Sequence, residues 1–245
     1  MLFNSYTFIF LFVPLTLLLT ALARRFSGVR GASAILVAAS LFFYSYHDIR
    51  LLALIGGSIL VNYLLTGFIY AAEGRARYWF TVLGIVLNLA LLAYFKYTNF
   101  FLENLSALTG TEFDFKKIAL PIGISFYTFQ QVAYNTDTYS RKIKERDFLS
   151  YALFVAFFPQ LIAGPIVHHG QIIKQFASGA FGKIRWENIL IGVSIFGLGL
   201  FSKKILADTF AGYATPIFVA ADQGEAVSFI NAWKGSLSYL SLIHI

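Results

Sequence analysis

The sequence predicts an all-α, polytopic transmembrane helix bundle, and three observations carry that prediction. Charged residues make up only 13% of the 245 residues while apolar types make up 58%, whereas a soluble domain carries about 25% charge. The mean hydropathy is +0.70. Apolar runs near bilayer length recur along the whole chain, with the basic residues falling between them. Disordered, collagenous, coiled-coil and soluble readings are excluded on these grounds. The net charge of +7 is read as topological, so the expected partner is the lipid bilayer and not a nucleic acid. Cysteine is absent, which removes disulfides, thiol nucleophiles, S-palmitoylation and Cys-bound metal.

The first run, Tyr6 to Ala23, rises about 27 Å as a helix and matches the hydrocarbon thickness. Ala21-Leu22-Ala23 resembles a signal-peptide cleavage site. No Lys or Arg precedes the run, however, and Arg24, Arg25 and Arg30 follow it, so a retained helix with an extracytoplasmic N-terminus is expected. Further spans are predicted at Ala32–Tyr46, Leu51–Ala72, Tyr78–Phe95, Ile118–Tyr134, Phe148–Val167 and the shorter Ile189–Phe201, with Tyr213–Ala221 as a re-entrant or interfacial piece. The odd loops carry the unbalanced positive charge: Arg24, Arg25 and Arg30 in the first, Arg75 and Arg77 in the third, Arg141 to Arg146 in the fifth. They are assigned to the cytoplasm. The sixth loop, with Lys174, Lys183 and Arg185, breaks the alternation. Either it lies outside, or Phe148–Val167 enters and leaves on one side, as Pro159, Gly164 and Pro165 would allow. No internal repeat or linker splits the chain, and residues 1–239 are read as one membrane domain.

One segment has unusual chemistry. Leu120–Tyr139 reads LPIGISFYTFQQVAYNTDTY. Counted from Pro121, a helix places Ser125, Thr128, Gln131 and Asn135 on one arc, and Tyr127, Gln130, Tyr134 and Asp137 on another. Only Ile122, Phe126, Phe129 and Ala133 form a narrow apolar strip. Such a helix shows the strip to lipid and buries the rest. Two readings follow: interhelical hydrogen bonding that holds the bundle together, or the lining of a tunnel for a polar substrate or acyl donor. The residues named for the second are Ser125, Thr128, Gln130, Gln131, Tyr134, Asn135 and, from a later motif, Gln160. Asp137, beside a basic loop, is expected to be solvated or salt-bridged.

At this segment the chain resembles the bacterial membrane-bound O-acyltransferases (MBOAT), with the alginate O-acetylation proteins as the nearest likeness. The motifs are Met1–Ser5 leading into Phe8–Pro14, Tyr94-Phe95-Lys96-Tyr97-Thr98-Asn99-Phe100, Leu120–Tyr139, Phe158-Pro159-Gln160-Leu161-Ile162-Ala163-Gly164-Pro165-Ile166 and Lys203-Lys204-Ile205-Leu206-Ala207-Asp208. The resemblance implies an MBOAT-like bundle, truncated, around a through-membrane cavity. It implies transfer of an acyl group, acetyl by expectation, from a cytoplasmic thioester donor such as acetyl-CoA, with no bound cofactor. The acceptor would be an extracytoplasmic polysaccharide such as alginate, reached directly or through partner periplasmic acetyltransferases. The implied location is the bacterial inner membrane. A membrane-embedded His serves as the family's base, a role that suits a neutral imidazole. It is expected in a segment beyond Ile245. Residues 240–245 depart from the family pattern and are expected to be a foreign tail, and the chain alone is expected to be inactive.

Four histidines are present. His47 reads as interfacial. His168 and His169 diverge on a helix or a strand and lack the i, i+4 spacing of a metal pair; no metal site is expected, and they are the fallback catalytic candidates. His244 lies in the aberrant tail. Gly192, Gly197 and Gly199 read as close helix packing. The loop Arg141–Arg146 fixes topology and touches anionic lipid, with attraction of a coenzyme A donor's phosphates as the alternative. Two other function classes fit the polar helix: a transporter or flippase for a lipid-linked or sugar substrate, and a non-catalytic membrane scaffold. The absence of a second copy of Leu120–Tyr139 counts against the transporter.

Overall fold

A computed structural model describes residues 1–110, 117–143, 146–162, 164 and 169–244. Every regular element among them is helical. Four helical runs are long and apolar enough to cross a membrane: Thr7–Ser45, Arg50–Ala71, Gly74–Thr109 and Trp186–Asp222. The chain divides into two compact units, Met1–Lys183 and Ile184–Ile245.

The first unit opens with a π-helical turn, Thr7–Phe12, that runs into α1, Val13–Ser45. At 39 residues the run would measure about 58 Å if straight. It is not straight. Gly28 breaks it with φ +69° and ψ −157°, a backbone that only glycine adopts without strain. The two arms fold back on each other, so that Phe12 and Phe43 meet with ring centroids 5.7 Å apart and Phe8 and Phe43 at 5.6 Å. The two spans predicted at Tyr6–Ala23 and Ala32–Tyr46 are these arms, with the reversal inside the predicted first loop. Thr16, Thr20, Ala32, Ser33 and Ser40 are buried; small residues let helix backbones approach closely.

Helix α2 (Arg50–Ala71) matches its predicted span within a residue at each end. Helix α3 (Gly74–Thr109) runs 14 residues past the predicted Phe95, because Lys96 to Thr109 holds no helix breaker and Gly110 supplies the left-handed stop. Helix α4 starts at Ile124 and ends at Tyr139. It begins later than the predicted Ile118 because Pro121 and Gly123 come first. Gly123 sits at φ +77°, and a Cβ there would lie 2.8 Å from the Leu161 carbonyl oxygen. The backbone of residues 117–123 is therefore irregular, with Pro121 buried and Leu120 and Ile122 exposed.

The predicted span Phe148–Val167 is interrupted, as its prolines imply. Helix α5 is Phe148–Ala156, Phe157 leaves helical geometry, and α6 is the short Phe158–Leu161. Ser40 Oγ accepts the buried N–H of Phe158 at 3.2 Å, so the break leaves no orphan donor there. Helix α7 (His169–Phe176) follows, and its Ile172 and Ile173 pack on the core formed by α1, α2, α4 and α5. Arg24 Nε, near the Gly28 reversal, donates to Phe181 O at 2.9 Å. This bond sets Phe181 of the sixth loop beside the first loop; Ala163 and residues 165–168, at the exit of the broken segment, lie outside the described residues.

The second unit contains α8 (Trp186–Phe201), a π-helical stretch Ser202–Ala207, and α9 (Asp208–Asp222), continuous as one run. The separate piece predicted at Tyr213–Ala221 is the end of this run. Helix continuity sets Lys203 and Lys204 against Asp208, Lys204 at 3.3 Å with i, i+4 spacing, so these charges offset one another. Helix α10 (Phe229–His244) packs on α9, with Phe218 and Tyr239 rings 5.2 Å apart and Lys234 over the Tyr213 ring at 4.5 Å.

Candidate functional site: a polar seam around helix α4

Three helices of the first unit each carry polar residues at helical spacing. On α2 these are Ser58, Asn62 and Thr66; on α3, Arg77, Thr81 and Asn88; on α4, Thr128, Gln131, Asn135 and Thr138. All are buried. In apolar spans such stripes turn away from lipid, and here they turn toward one another. Asn62 is the hub. Its Nδ2 donates to Gln131 Oε1 at 2.9 Å and to its own helix at Ser58 O, 3.0 Å. Its Oδ1 accepts from Asn88 Nδ2 and, at 3.3 Å, from Asn135 Nδ2. Ser58 Oγ donates to the same Gln131 oxygen at 2.8 Å. Gly84 makes room: a Cβ there would meet Asn135 Nδ2 at 2.7 Å.

The predicted lining residues are placed as follows. Thr128, Gln130, Gln131, Tyr134 and Asn135 are all buried, and Ser125 is half-buried. Of the predicted lipid strip, Ile122 and Phe129 are exposed, and Phe126 and Ala133 are half-buried. Gln160 is buried on α6, next to Leu161, whose carbonyl abuts Gly123 at the start of α4. Among the described residues, Thr128 Oγ1, Gln130 Oε1 and Asn135 Oδ1 are buried without a hydrogen-bond partner. Asp137 pairs with Lys142 at 3.2 Å.

Of the fallback histidines, His168 lies outside the described residues. His169 opens α7, outside the spans. It is buried edge-on against the rings of Tyr134 (4.7 Å) and Phe154 (5.3 Å). Burial pushes its pKa down to about 4, with the Asp137 charge opposing that shift. No cluster of three or more His, Asp or Glu placed to hold a metal is found among the described residues. Apart from Arg77 at one end, the seam is built of amides and hydroxyls, so what it offers a solute there is neutral hydrogen bonding.

At the end of the seam where the third and fifth loops meet, the buried Arg77 donates from Nη2 to Thr138 O. Arg146 donates to Tyr63 O and stacks over the Tyr63 ring, 4.5 Å from its centroid. In the sequence, Arg146 stands out only within its basic loop, and Ser58, Asn62, Arg77 and Asn88 do not stand out as site residues. Polar residues three, four, seven or eleven apart inside apolar runs are the signal that would have found them.

These features define a class: a polytopic helical membrane protein whose apolar interior carries a buried polar seam. The chain is 39% identical, over 98% of its length, to the peptidoglycan O-acetyltransferase of Helicobacter pylori. It is 35% identical over its whole length to the protein named Probable alginate O-acetylase AlgI of Pseudomonas putida, and 33% identical to that of Pseudomonas aeruginosa. The chain spans about half the length of these curated relatives: 50%, 50% and 46% respectively. No family model matches it, and no solved structure does. The chain is thus similar to proteins named O-acetyltransferase or O-acetylase, in keeping with the resemblance its motifs carry to the membrane-bound O-acyltransferases. The relatives are named for two different polymers, so the likeness is not to alginate acetylation alone.

Proposed function

We propose that this chain forms part of a membrane O-acyltransferase that moves an acetyl group from a cytoplasmic thioester donor, acetyl-CoA, toward a hydroxyl of an extracytoplasmic polysaccharide. Peptidoglycan and alginate are the two acceptors its relatives' names suggest. Transfer is direct or through partner periplasmic acetyltransferases. The protein sits in the bacterial inner membrane with its N-terminus outside, in line with the basic odd loops.

The observation that carries this reading is identity along the whole chain to relatives named O-acetyltransferase or O-acetylase. The seam supports a role for α4 in the path. Thr128 Oγ1, Gln130 Oε1 and Asn135 Oδ1 are among the polar atoms buried on this helix without partners. Each such atom costs about 1–3 kcal/mol if it stays unmet. A helix serving only to hold the bundle gains nothing from that cost; a helix that meets water or a polar substrate recovers it.

Two experiments test the proposal. In membranes, the chain is offered labelled acetyl-CoA and isolated polysaccharide, alone and joined to the remaining portion of its Helicobacter relative. Ester-linked label is expected from the joined protein and not from the chain alone. Transfer of a lipid-linked sugar across vesicles without acetylation would replace this reading with the transporter. Because the chain has no cysteine, single cysteines at Ser125, Gln131 and Asn135 report their own surroundings. They are expected to react with a small water-soluble thiol reagent and to resist a lipid-phase quencher, with Phe129→Cys behaving oppositely. Lipid contact at all three seam positions would remove the tunnel.

A further inference from the structure

The C-terminal turn of α2, the first turn of α3 and the segment just after α4 enclose a cleft of about 240 Å³ lined by Tyr70, Arg77, Arg141 and Ile143. Its walls are unusual for a membrane protein. Arg77 is only 6% exposed. Its guanidinium is tied to Thr138 O and lies 5.8 Å from the Tyr139 ring, and its Nε has no partner. Among the described residues no carboxylate pairs with it. A buried cation without an anion is a standing cost. Arg141 has φ +57°, the one non-glycine residue with positive φ found among the described residues. Strain of this kind collects at ligand clamps. Arg141 is paired only loosely, at 3.5 Å, with Glu73, whose side chain is 85% exposed and can swing aside.

We propose that Arg77 and Arg141 form a binding site for a phosphate-bearing anion on the face that carries the third and fifth loops. Two guanidinium groups present forked donors that match phosphate oxygens, and the N-terminus of α3 adds its positive end. The volume is below the 300–1,000 Å³ usual for a whole drug-sized ligand, so the cleft takes a phosphate or diphosphate group while the rest of the molecule lies outside it. Two sources share that chemistry: the headgroup of an anionic lipid and the phosphates of a coenzyme A donor. The site stands without the acyltransferase reading; only the donor as its occupant rests on that reading.

The test uses the full chain in phosphatidylcholine nanodiscs, with radiolabelled desulfo-coenzyme A as one probe. The other probe is phosphatidylglycerol added to the disc, with retained lipid counted by mass spectrometry. Arg141→Gln is expected to weaken binding about tenfold, since a charge-assisted forked contact is lost. Arg77→Lys keeps the charge but not the fork and is expected to weaken it about fivefold. Glu73→Gln removes the competing carboxylate and tightens binding about twofold, a gain no merely structural role would give. Arg75→Gln, an equal charge loss outside the cleft, changes it less than about twofold. If Arg77→Lys does not fold, Arg141→Gln and Glu73→Gln decide. Binding of desulfo-coenzyme A identifies the donor as occupant. Retention of phosphatidylglycerol alone identifies the lipid, and upholds the site even if acyl transfer fails. Binding of neither probe, or equal loss with Arg75→Gln and Arg141→Gln, overturns the site.

Discussion

Helix α4 and the run Trp186–Asp222 invert the rule that governs soluble proteins. Helix α4 has 16 residues, with polar groups on most of its circumference, and Thr128, Gln131, Asn135 and Thr138 are fully buried. The run Trp186–Asp222 has 37 residues, and none of its most apolar 18-residue window is buried within the chain. In water the second would be the core and the first the surface. In a bilayer the solvent is itself apolar, so burying hydrocarbon brings little gain, and the helices that need neighbours are the polar ones. The contrast shows where specificity is stored. Unit one is held in register by amide contacts among α2, α3 and α4, whereas the long run presents its side chains to whatever apolar medium surrounds it.

The largest expected effect comes from removing the hub. Asn62→Leu strips partners from Gln131, Asn88 and Asn135 at once. Membrane interhelical hydrogen bonds average about 0.6 kcal/mol, with a maximum near 1.7. Gln131 keeps Ser58 and Asn88 keeps Gly84 O, so three lost interhelical contacts predict a loss of roughly 2 kcal/mol, read by unfolding in mixed micelles. Gln131→Leu on top of it should add less than its separate effect, because the two share bonds. Full additivity would show that the seam is a set of independent contacts. On the exposed run, Ser194→Leu breaks only a bond to its own helix at Leu190 O and should change stability by less than about 0.5 kcal/mol.

A matched pair of glycines breaks the comparison more finely. A Cβ at Gly84 meets Asn135 Nδ2 at 2.7 Å, whereas a Cβ at Gly192 meets nothing within 4 Å. Gly84→Ala should destabilise by about 1–2 kcal/mol through overpacking of the seam. Gly192→Ala should stabilise by up to about 1 kcal/mol through helix propensity alone. Equal signs in thermal unfolding would mean that the seam is loose enough to yield, or that the run is packed after all.

Much of this was legible in the residues. Hydropathy gave the spans, because bilayer thickness imposes run length. Periodicity on Leu120–Tyr139 gave the buried face of α4, because a single lipid-facing strip leaves no other orientation. Gly28 was not legible as a reversal inside a continuous helix, since its φ depends on how the arms pack. The extension of α3 to Thr109 was hidden by charge: Lys96 and Glu103 read as loop, yet both suit an exposed helix outside the hydrocarbon. The partners of α4 were missed for a different reason. One Asn in an apolar run, such as Asn62 or Asn88, looks tolerable by itself. Its meaning appears only when three helices bring such residues to one level, which is tertiary information.

The smallest effect at neutral pH, and the most diagnostic on acidification, concerns His169. It caps the aromatic cluster of Tyr134 and Phe154 in the buried unit. Its folded pKa is lowered from 6.5 to about 4, mainly by burial. Above pH 6.5 the imidazole is neutral in both folded and unfolded chains and has no pH-linked effect on stability. As pH falls through 6.5 the unfolded chain takes up a proton that the folded one refuses, so stability declines between pH 6.5 and about 4 and levels off below. Asp137, whose charge favours protonation, faces the same imidazole from α4, so Asp137→Asn should steepen the decline. His169→Phe keeps a ring in the cluster and removes the proton. It should leave stability at pH 8 within about 1 kcal/mol of the parent and flatten the profile between pH 4 and 6.5. A decline that persists unchanged in His169→Phe would assign the acid sensitivity to a different group, and would make His169 a packing residue with no electrostatic share in the fold.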